Sequence, residues 1–175
     1  MTLRCELNIN GATRRILLVA KEEETLEHVA LRLTAAVLFF DMEPALEAGP
    51  GHAAVEGTGF FPDLLVVDEA GGIKVWIECG NVANNKLAKV ARRLRGGRLV
   101  VLKESPEDGR RLRAVVRKEG MKGGESIEIW AWPAEDFRKW TAAIKESTHV
   151  YGEASDRTLN LVMNDVPFSV QLSAC

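Results

Sequence analysis

Hydrophobic and polar residues alternate over the first nine positions of the chain. The apolar members of this alternation are Leu3, Cys5, Leu7 and Ile9. A period of two predicts a strand with one buried face. Asn10 and Gly11 follow, and both tolerate the positive φ of a tight turn. The pattern therefore predicts an N-terminal hairpin whose second strand runs from Thr13 to Ala20.

The apolar spacing changes to a helical period after the acidic run at 21–24. Negative charge favours a helix N-terminus, and large apolar residues then recur every three or four positions, so the sequence predicts a buried helix over 25–41. Residues 43–59 are rich in Gly, Pro and Ala and predict an irregular loop, with at most a short strand near 52–56.

The remainder of the chain alternates between strand and helix patterns. The predicted strands are 63–68, 73–79, 98–102 and 126–132, the predicted helices are 84–95, 106–119 and 134–146, and a terminal hairpin is formed by 159–163 and 166–172. This order predicts the α+β class: a mixed β-sheet flanked by helices, with β-hairpins at both ends of the chain. No linker interrupts it, so we expect a single domain over residues 1–175.

The composition agrees with a globular protein that stays inside the cell. Hydrophobic residues make up 46% and charged residues 27% of the chain, and no apolar run approaches the roughly 20 residues of a membrane span. Charges interrupt the first 20 residues, so we expect no signal peptide, no membrane partner and a cytoplasmic location. The three cysteines and three histidines are scattered without the paired spacing of a zinc site.

Positive charge is concentrated in one segment, although the net charge is only -2. Residues 86–118 contain twelve Lys and Arg and three acids. Such a segment is suited to nucleic acid, because Lys and Arg neutralise phosphates. Two solvated helices would give the same pattern, and the sequence leaves both interpretations open.

Two acids interrupt apolar strands in the middle of the chain. Asp63 begins one strand and Glu78 ends the next, with a glycine turn at 70–72 between them. In an antiparallel pair these two ends are neighbours, so the carboxylates are expected to converge and offer the hard oxygen ligands that Mg²⁺ prefers. Alternatively, Asp63 caps a turn and Glu78 pairs with an arginine.

The same residues resemble a known motif. Pro62-Asp63 followed by Glu78-Cys79-Gly80 is similar to the PD-(D/E)XK pattern of Mg²⁺-dependent nucleases, with Gly80 at the place of the motif lysine. The wider chain resembles the YaeQ family, whose members share this departure and carry a lysine on the next helix. The resembling blocks are 24–33, 72–80, Lys89, 127–130 and the hairpin after 156.

The resemblance implies a site and an activity. Asp63, Glu78 and the backbone carbonyl of Cys79 would hold Mg²⁺, and Glu27 would complete the shell. Lys89 would orient or deprotonate the attacking water, with Lys86 as the substitute. The implied function is a Mg²⁺-dependent nuclease or phosphodiesterase. The alternative is a non-catalytic protein of the same fold that binds nucleic acid or a protein through the basic segment 86–118.

Overall fold

The computed structural model describes residues 1–94 and 96–175. In chain order its elements are β1 (Thr2–Ile9), β2 (Ala12–Val19), α1 (Leu26–Leu38), β3 (Ala45–Leu46), β4 (Leu64–Val67), β5 (Ile73–Cys79), α2 (Asn84–Arg93), β6 (Arg98–Lys103), α3 (Pro106–Lys118), β7 (Ile127–Ala131), α4 (Ala134–Ala143), β8 (Ser147–Ser155), β9 (Thr158–Met163), β10 (Val166–Gln171) and β11 (Ser173–Ala174). Short 3-10 turns lie at Phe40–Met42, Ala53–Val55 and Gly124–Ser126.

The strands form two sheets. The terminal sheet has the order β10-β9-β8-β1-β2, and the central sheet has the order β11-β7-β6-β5-β4-β3. Within the terminal sheet β1 and β8 run parallel, so the first strand of the chain lies beside a late one. Within the central sheet β5, β6 and β7 are parallel, while β4 runs antiparallel to β5. Parallel strands need crossover connections, and α2 and α3 supply them.

Two apolar clusters hold these elements in four layers. The larger one joins the terminal sheet, α1, α4 and one face of the central sheet. The smaller one joins the other face of the central sheet to α2 and α3. The central sheet is therefore covered on both faces, which explains why its strands read as nearly continuous apolar runs.

Four buried tryptophans fill the core. Trp132 and Trp140 pack with ring centroids 5.3 Å apart in the larger cluster. Trp76 lies in the smaller cluster, and Trp130 stacks on Phe39.

The predicted class is confirmed, with corrections in the connections. The two terminal hairpins do not flank one sheet; they join through β8 into a second sheet, and the sequence pattern did not predict β8. The proposed strand near 52–56 is wrong, because Ala53–Val55 forms a 3-10 turn. The helix predicted over 25–41 ends at Leu38 and is followed by a 3-10 turn. The end expected for the next helix, Arg95, lies outside the described residues.

Among the described residues, none of the helices has the length and apolar character that crossing a membrane requires.

Substitution of Gly152 provides a test of the close packing within the terminal sheet. Gly152 lies in β8 between β1 and β9 with φ +144, and a Cβ there would meet Cα of Leu161 at 2.6 Å and the carbonyl of Asn160. We expect Gly152→Ala to lower the free energy of unfolding by about 2 to 4 kcal/mol in urea denaturation, because it combines backbone strain with overpacking.

Gly51→Ala is the matched control for this substitution. Gly51 is exposed, and a Cβ there has no neighbour within 4 Å. Its effect should stay within about 0.5 kcal/mol. Equal urea midpoints for the two variants would contradict the close approach of β8 and β9.

Candidate functional site

Asp63 lies at the start of β4 and is held from two sides. Its backbone N–H donates to the carbonyl of Ile77 at 3.0 Å, which fixes it beside β5. Its Oδ1 lies 3.0 Å from Nε2 of His28 on α1, and its Oδ2 accepts a hydrogen bond of 2.8 Å from the backbone N–H of Cys79. A helix from one layer and a strand of the central sheet therefore orient this carboxylate.

The pairing of Asp63 with His28 shifts the pKa of both side chains. Burial alone would raise the pKa of Asp63, but the hydrogen bond and charge of His28 and the Cys79 N–H hold it below its ordinary value. The hydrogen bond from Asp63 raises the pKa of His28 against the opposing effect of burial. The folded chain thus favours an ionised Asp63 beside a protonated His28.

Glu78 lies near the end of β5 and is almost fully buried, with 4% of its surface exposed. Its Oε1 accepts a hydrogen bond of 2.6 Å from the indole N–H of Trp76. Lys86 on α2 places its Nζ 2.7 Å from Oε1 and 2.8 Å from Oε2. Burial raises the pKa of Glu78; Lys86 opposes this shift, while the charge of Asp63 adds to it.

The carboxylates of Asp63 and Glu78 are neighbours, but each is bonded to a different basic side chain. Asp63 is close enough to influence the pKa of Glu78, and its Oδ2 bonds to the residue that follows Glu78. Asp63 is paired from the α1 layer, whereas Glu78 is paired from the α2 layer. Over residues 1–94 and 96–175, no group of three or more His, Cys, Asp or Glu is arranged to hold a metal ion.

Of the two candidate lysines, the structure brings Lys86 to the acids. Its Nζ also donates to the carbonyl of Phe61 at 2.8 Å, so it bridges Glu78 and the segment that leads into Asp63. The ammonium of Lys89 instead lies 5.5 Å from the ring centroid of Phe60, at a cavity that neither acid lines. The roles assigned to both lysines stay predictions.

Glu27 is exposed and lies apart from the two acids. It lines a depression together with Glu104 and Asp108. Its role as a metal ligand stays a prediction, but its side chain is not among the described partners of Asp63 or Glu78.

A row of polar residues that begins just before α1 and continues along it was missed in the sequence, and its His28 approaches Asp63. Glu24 and His28 lie 3.6 Å apart, and Glu24 also binds Arg32 at 3.0 Å. Arg32 is only 2% exposed and reaches Glu47 at 2.8 Å. The spacing of four residues between His28 and Arg32, which lie on one face of α1, was the available signal, with the acid Glu24 four residues before His28.

The backbone conformation at position 80 disfavours a lysine there. The φ of Gly80 is +65, in the left-handed region that a lysine adopts only with strain. Lys103 on β6 donates to the carbonyl of Gly80 at 2.9 Å, so another cation from the neighbouring strand lies close by. Burial raises the pKa of the Cys79 thiol, which favours its protonated form.

The pairing of Asp63 with His28 is expected to stabilise the folded chain only within a limited pH range. The pKa of His28 is higher in the folded chain than its ordinary 6.5, so the pairing stabilises at lower pH and is lost as the pH rises through the folded pKa. The pKa of Asp63 is lower than 3.8, so its contribution is present above 3.8 and lost as the pH falls. We expect Asp63→Asn to lower the free energy of unfolding by about 1.5 to 3 kcal/mol near pH 5.5, and by less at pH 8.5.

Urea denaturation at both pH values measures this difference, and NMR titration of His28 measures its pKa. Asp63→Asn should lower the pKa of His28. Glu69→Gln is the control, because Glu69 is exposed in the β4–β5 turn. A His28 titration that is identical in Asp63→Asn and in the unaltered chain would contradict the pairing.

Comparison with known proteins places this geometry in a family. No curated protein matches the chain. The crystal structure of YaeQ protein from Xanthomonas axonopodis pv. citri is similar with a TM-score of 0.72 and 19% identity, covering 99% of this chain and 96% of that one. The crystal structure of YaeQ protein from Pseudomonas syringae is similar with a TM-score of 0.74 and 20% identity, covering 99% and 94%. At identities this low, the two TM-scores show a shared fold alone. The family model for YaeQ protein matches residues 13–172, and the chain therefore belongs to the YaeQ family.

Proposed function

We propose that this protein hydrolyses phosphodiester bonds in nucleic acid with the help of Mg²⁺ bound near Asp63 and Glu78. The ion pair between Lys86 and Glu78, beside the carboxylate of Asp63, is the observation that carries the proposal. Two acids at adjoining strand ends and one cation are the parts that metal-assisted hydrolysis requires. We further propose that the site is a PD-(D/E)XK site in which α2 supplies the lysine that position 80 lacks.

The donor set fits a hard divalent cation. Asp63, Glu78 and the carbonyl of Cys79 offer oxygen ligands, and Mg²⁺ commonly uses one or two carboxylates and completes its shell with water and substrate. Each carboxylate oxygen has two lone pairs, so the donors His28 and Lys86 leave room for a further partner. The lowered pKa of Asp63 supports its ionised form at neutral pH.

In this mechanism a bound divalent cation supplies positive charge that stabilises the negative charge developing on a phosphoryl oxygen. The residues of the chain position the reactants around it. His28 and the Cys79 N–H fix the orientation of Asp63, and Trp76 fixes that of Glu78. Lys86 directs an ammonium group into the same space and orients the attacking water.

Lys86, rather than Lys89, is assigned this orienting role. Lys86 is bonded to Glu78 and to the carbonyl of Phe61. Lys89 lies one turn later on α2, over Phe60. We therefore expect Lys89 to contact the substrate at a point away from the reacting phosphate.

The two lysines are expected to differ in their kinetic effects. Lys86→Met should lower kcat for Mg²⁺-dependent cleavage by about 10² or more, because it removes a group acting at the reacting atoms. Lys89→Met should mainly raise KM. Asp63→Asn should abolish cleavage. Labelled single- and double-stranded DNA and RNA, incubated with Mg²⁺ and separated on gels, provide the measurement.

Lys86→Met also leaves Glu78 buried without its cation, so its folding is checked separately by urea denaturation. Lys86→Arg keeps the charge and serves as the control for stability. A Lys86→Met protein that is folded and cleaves with unchanged kcat would contradict the assignment. Mg²⁺-dependent products that persist in Asp63→Asn would contradict the proposed site.

A second candidate is a non-catalytic protein of the same fold that binds nucleic acid. It is favoured by the fact that both acids already have side-chain partners within the chain, His28 and Lys86. Removing one partner of a buried ion pair is costly, so the acids would then serve stability alone. Binding of nucleic acid without products in Mg²⁺ or Mn²⁺ would favour this candidate.

A further inference from the structure

We propose that a cavity between α2 and the segment 58–60 is an anchoring subsite for a substrate phosphate that lies beside the one being hydrolysed. This deepens the proposed function, on which it rests for the identity of the substrate as a nucleic-acid strand. The cavity has a volume of about 510 Å³, within the range of ordinary ligand sites. Its lining residues are Thr58, Gly59, Phe60, Lys89, Arg92 and Arg93.

All charged residues that line this cavity are positive. Three of its six lining residues are cationic, and the lining contains no Asp or Glu. Over residues 1–94 and 96–175, Lys89, Arg92 and Arg93 form no ion pair with a carboxylate. Three uncompensated cations around one concave space attract an anion with several oxygens, such as a phosphodiester.

Many other cations of the basic segment are already engaged. Arg98 pairs with Glu128, Arg111 with Glu107 and Asp108, and Arg117 with Glu125. Arg113 donates to three backbone carbonyls, and Lys103 is buried against the carbonyl of Gly80. Among the described cations of this segment that have no carboxylate partner, Lys89, Arg92 and Arg93 lie together on the second half of α2. Arg110 and Lys118 lie eight residues apart on α3.

The wall opposite α2 is held in place without a ligand. The hydroxyl of Thr58 contacts the carbonyls of Val55 and Phe60 at 2.7 and 2.8 Å. Arg93 donates to the carbonyl of Gly57 at 3.0 Å, which ties this wall to the helix. A site whose walls are fixed in advance loses less entropy when its ligand binds.

The cavity borders the candidate site through a continuous stretch of chain. Phe60 lines the cavity, the carbonyl of Phe61 holds Lys86, and Asp63 follows two positions later. On α2, Lys86 and Lys89 are one turn apart. A strand whose reacting phosphate lies at Asp63 therefore has its neighbouring phosphate within reach of Lys89 and Arg92.

A larger cavity on the other side of Asp63, of about 730 Å³, is a poorer place for a phosphate. It carries five acids, and its buried Arg32 is already bonded to two of them. These acids are Glu22, Glu23, Glu24, Glu47 and Asp63. Like charges repel at such short range, so the difference in charge assigns the anchoring phosphate to the cavity on α2.

Binding without metal tests the subsite separately from cleavage. Fluorescence anisotropy with labelled single-stranded DNA of about 12 nucleotides, in EDTA and at about 50 to 200 mM salt, gives Kd and its salt dependence. Lys89→Gln/Arg92→Gln should raise Kd about tenfold and reduce the slope of log K against log salt by about 1.4, the value for two lost phosphate contacts on a single strand. RNA of the same sequence should show the same reduction, because the subsite contacts phosphate.

Arg111→Gln/Arg117→Gln is the matched control, since it removes the same charge from the same basic segment at residues that already have carboxylate partners. It should change Kd by less than about twofold, in line with the small contribution of exposed ion pairs. Equal weakening by both double variants, or no binding by the unaltered chain at the lowest salt, would overturn the inference. Binding that is lost only in Lys89→Gln/Arg92→Gln supports the subsite even if no product forms, an outcome that counts against the proposed hydrolysis alone.

Discussion

The covering of the central sheet on both faces is the constraint on which the candidate site depends. A strand packed between two helical layers has no access to water along its length, so a carboxylate at its end must find a donor or a cation within the protein. Glu78 meets this requirement through Trp76 and Lys86. Asp63 meets it through His28 and a backbone N–H. Two of the helices that bury the sheet, α1 and α2, therefore also supply the side-chain partners that the acids need.

The same arrangement sets how a cation and the protein compete for the acids. His28 and Lys86 neutralise the carboxylates in the absence of metal, which removes much of the cost of keeping them buried. A divalent cation near Asp63 and Glu78 would share these oxygens with the existing donors or displace them. In the proposed metal-bound form, the affinity for the cation would therefore depend on His28 and Lys86 as well as on the two acids.

The sequence predicted most of the strands, because alternating or continuous apolar runs mark them, and it located Asp63 and Glu78 at neighbouring strand ends. The roles of the two acids stay predictions. The resemblance favoured Lys89, with Lys86 as the substitute, whereas the structure brings Lys86 to Glu78. The two lysines are three residues apart on α2, and local spacing does not show how the burial of Leu87 and Val90 fixes the rotation of this helix. The sequence pattern did not predict β8, because its buried positions include small residues such as Thr148 and Ala154, which give a weak alternation. Long-range contacts, such as that of α1 with Asp63, leave no trace in local spacing.

The parallel pairing of β1 with β8 has a consequence for biosynthesis. Arg4 lies opposite Ser147, so the N-terminal hairpin emerges from the ribosome long before the strand that completes its sheet. Until then β1 has an unpaired edge and the hairpin has an uncovered apolar face, both of which promote association with other chains. Contacts between such distant parts of a chain form slowly, and we expect assembly of the terminal sheet to be the step at which the nascent protein is most dependent on chaperones.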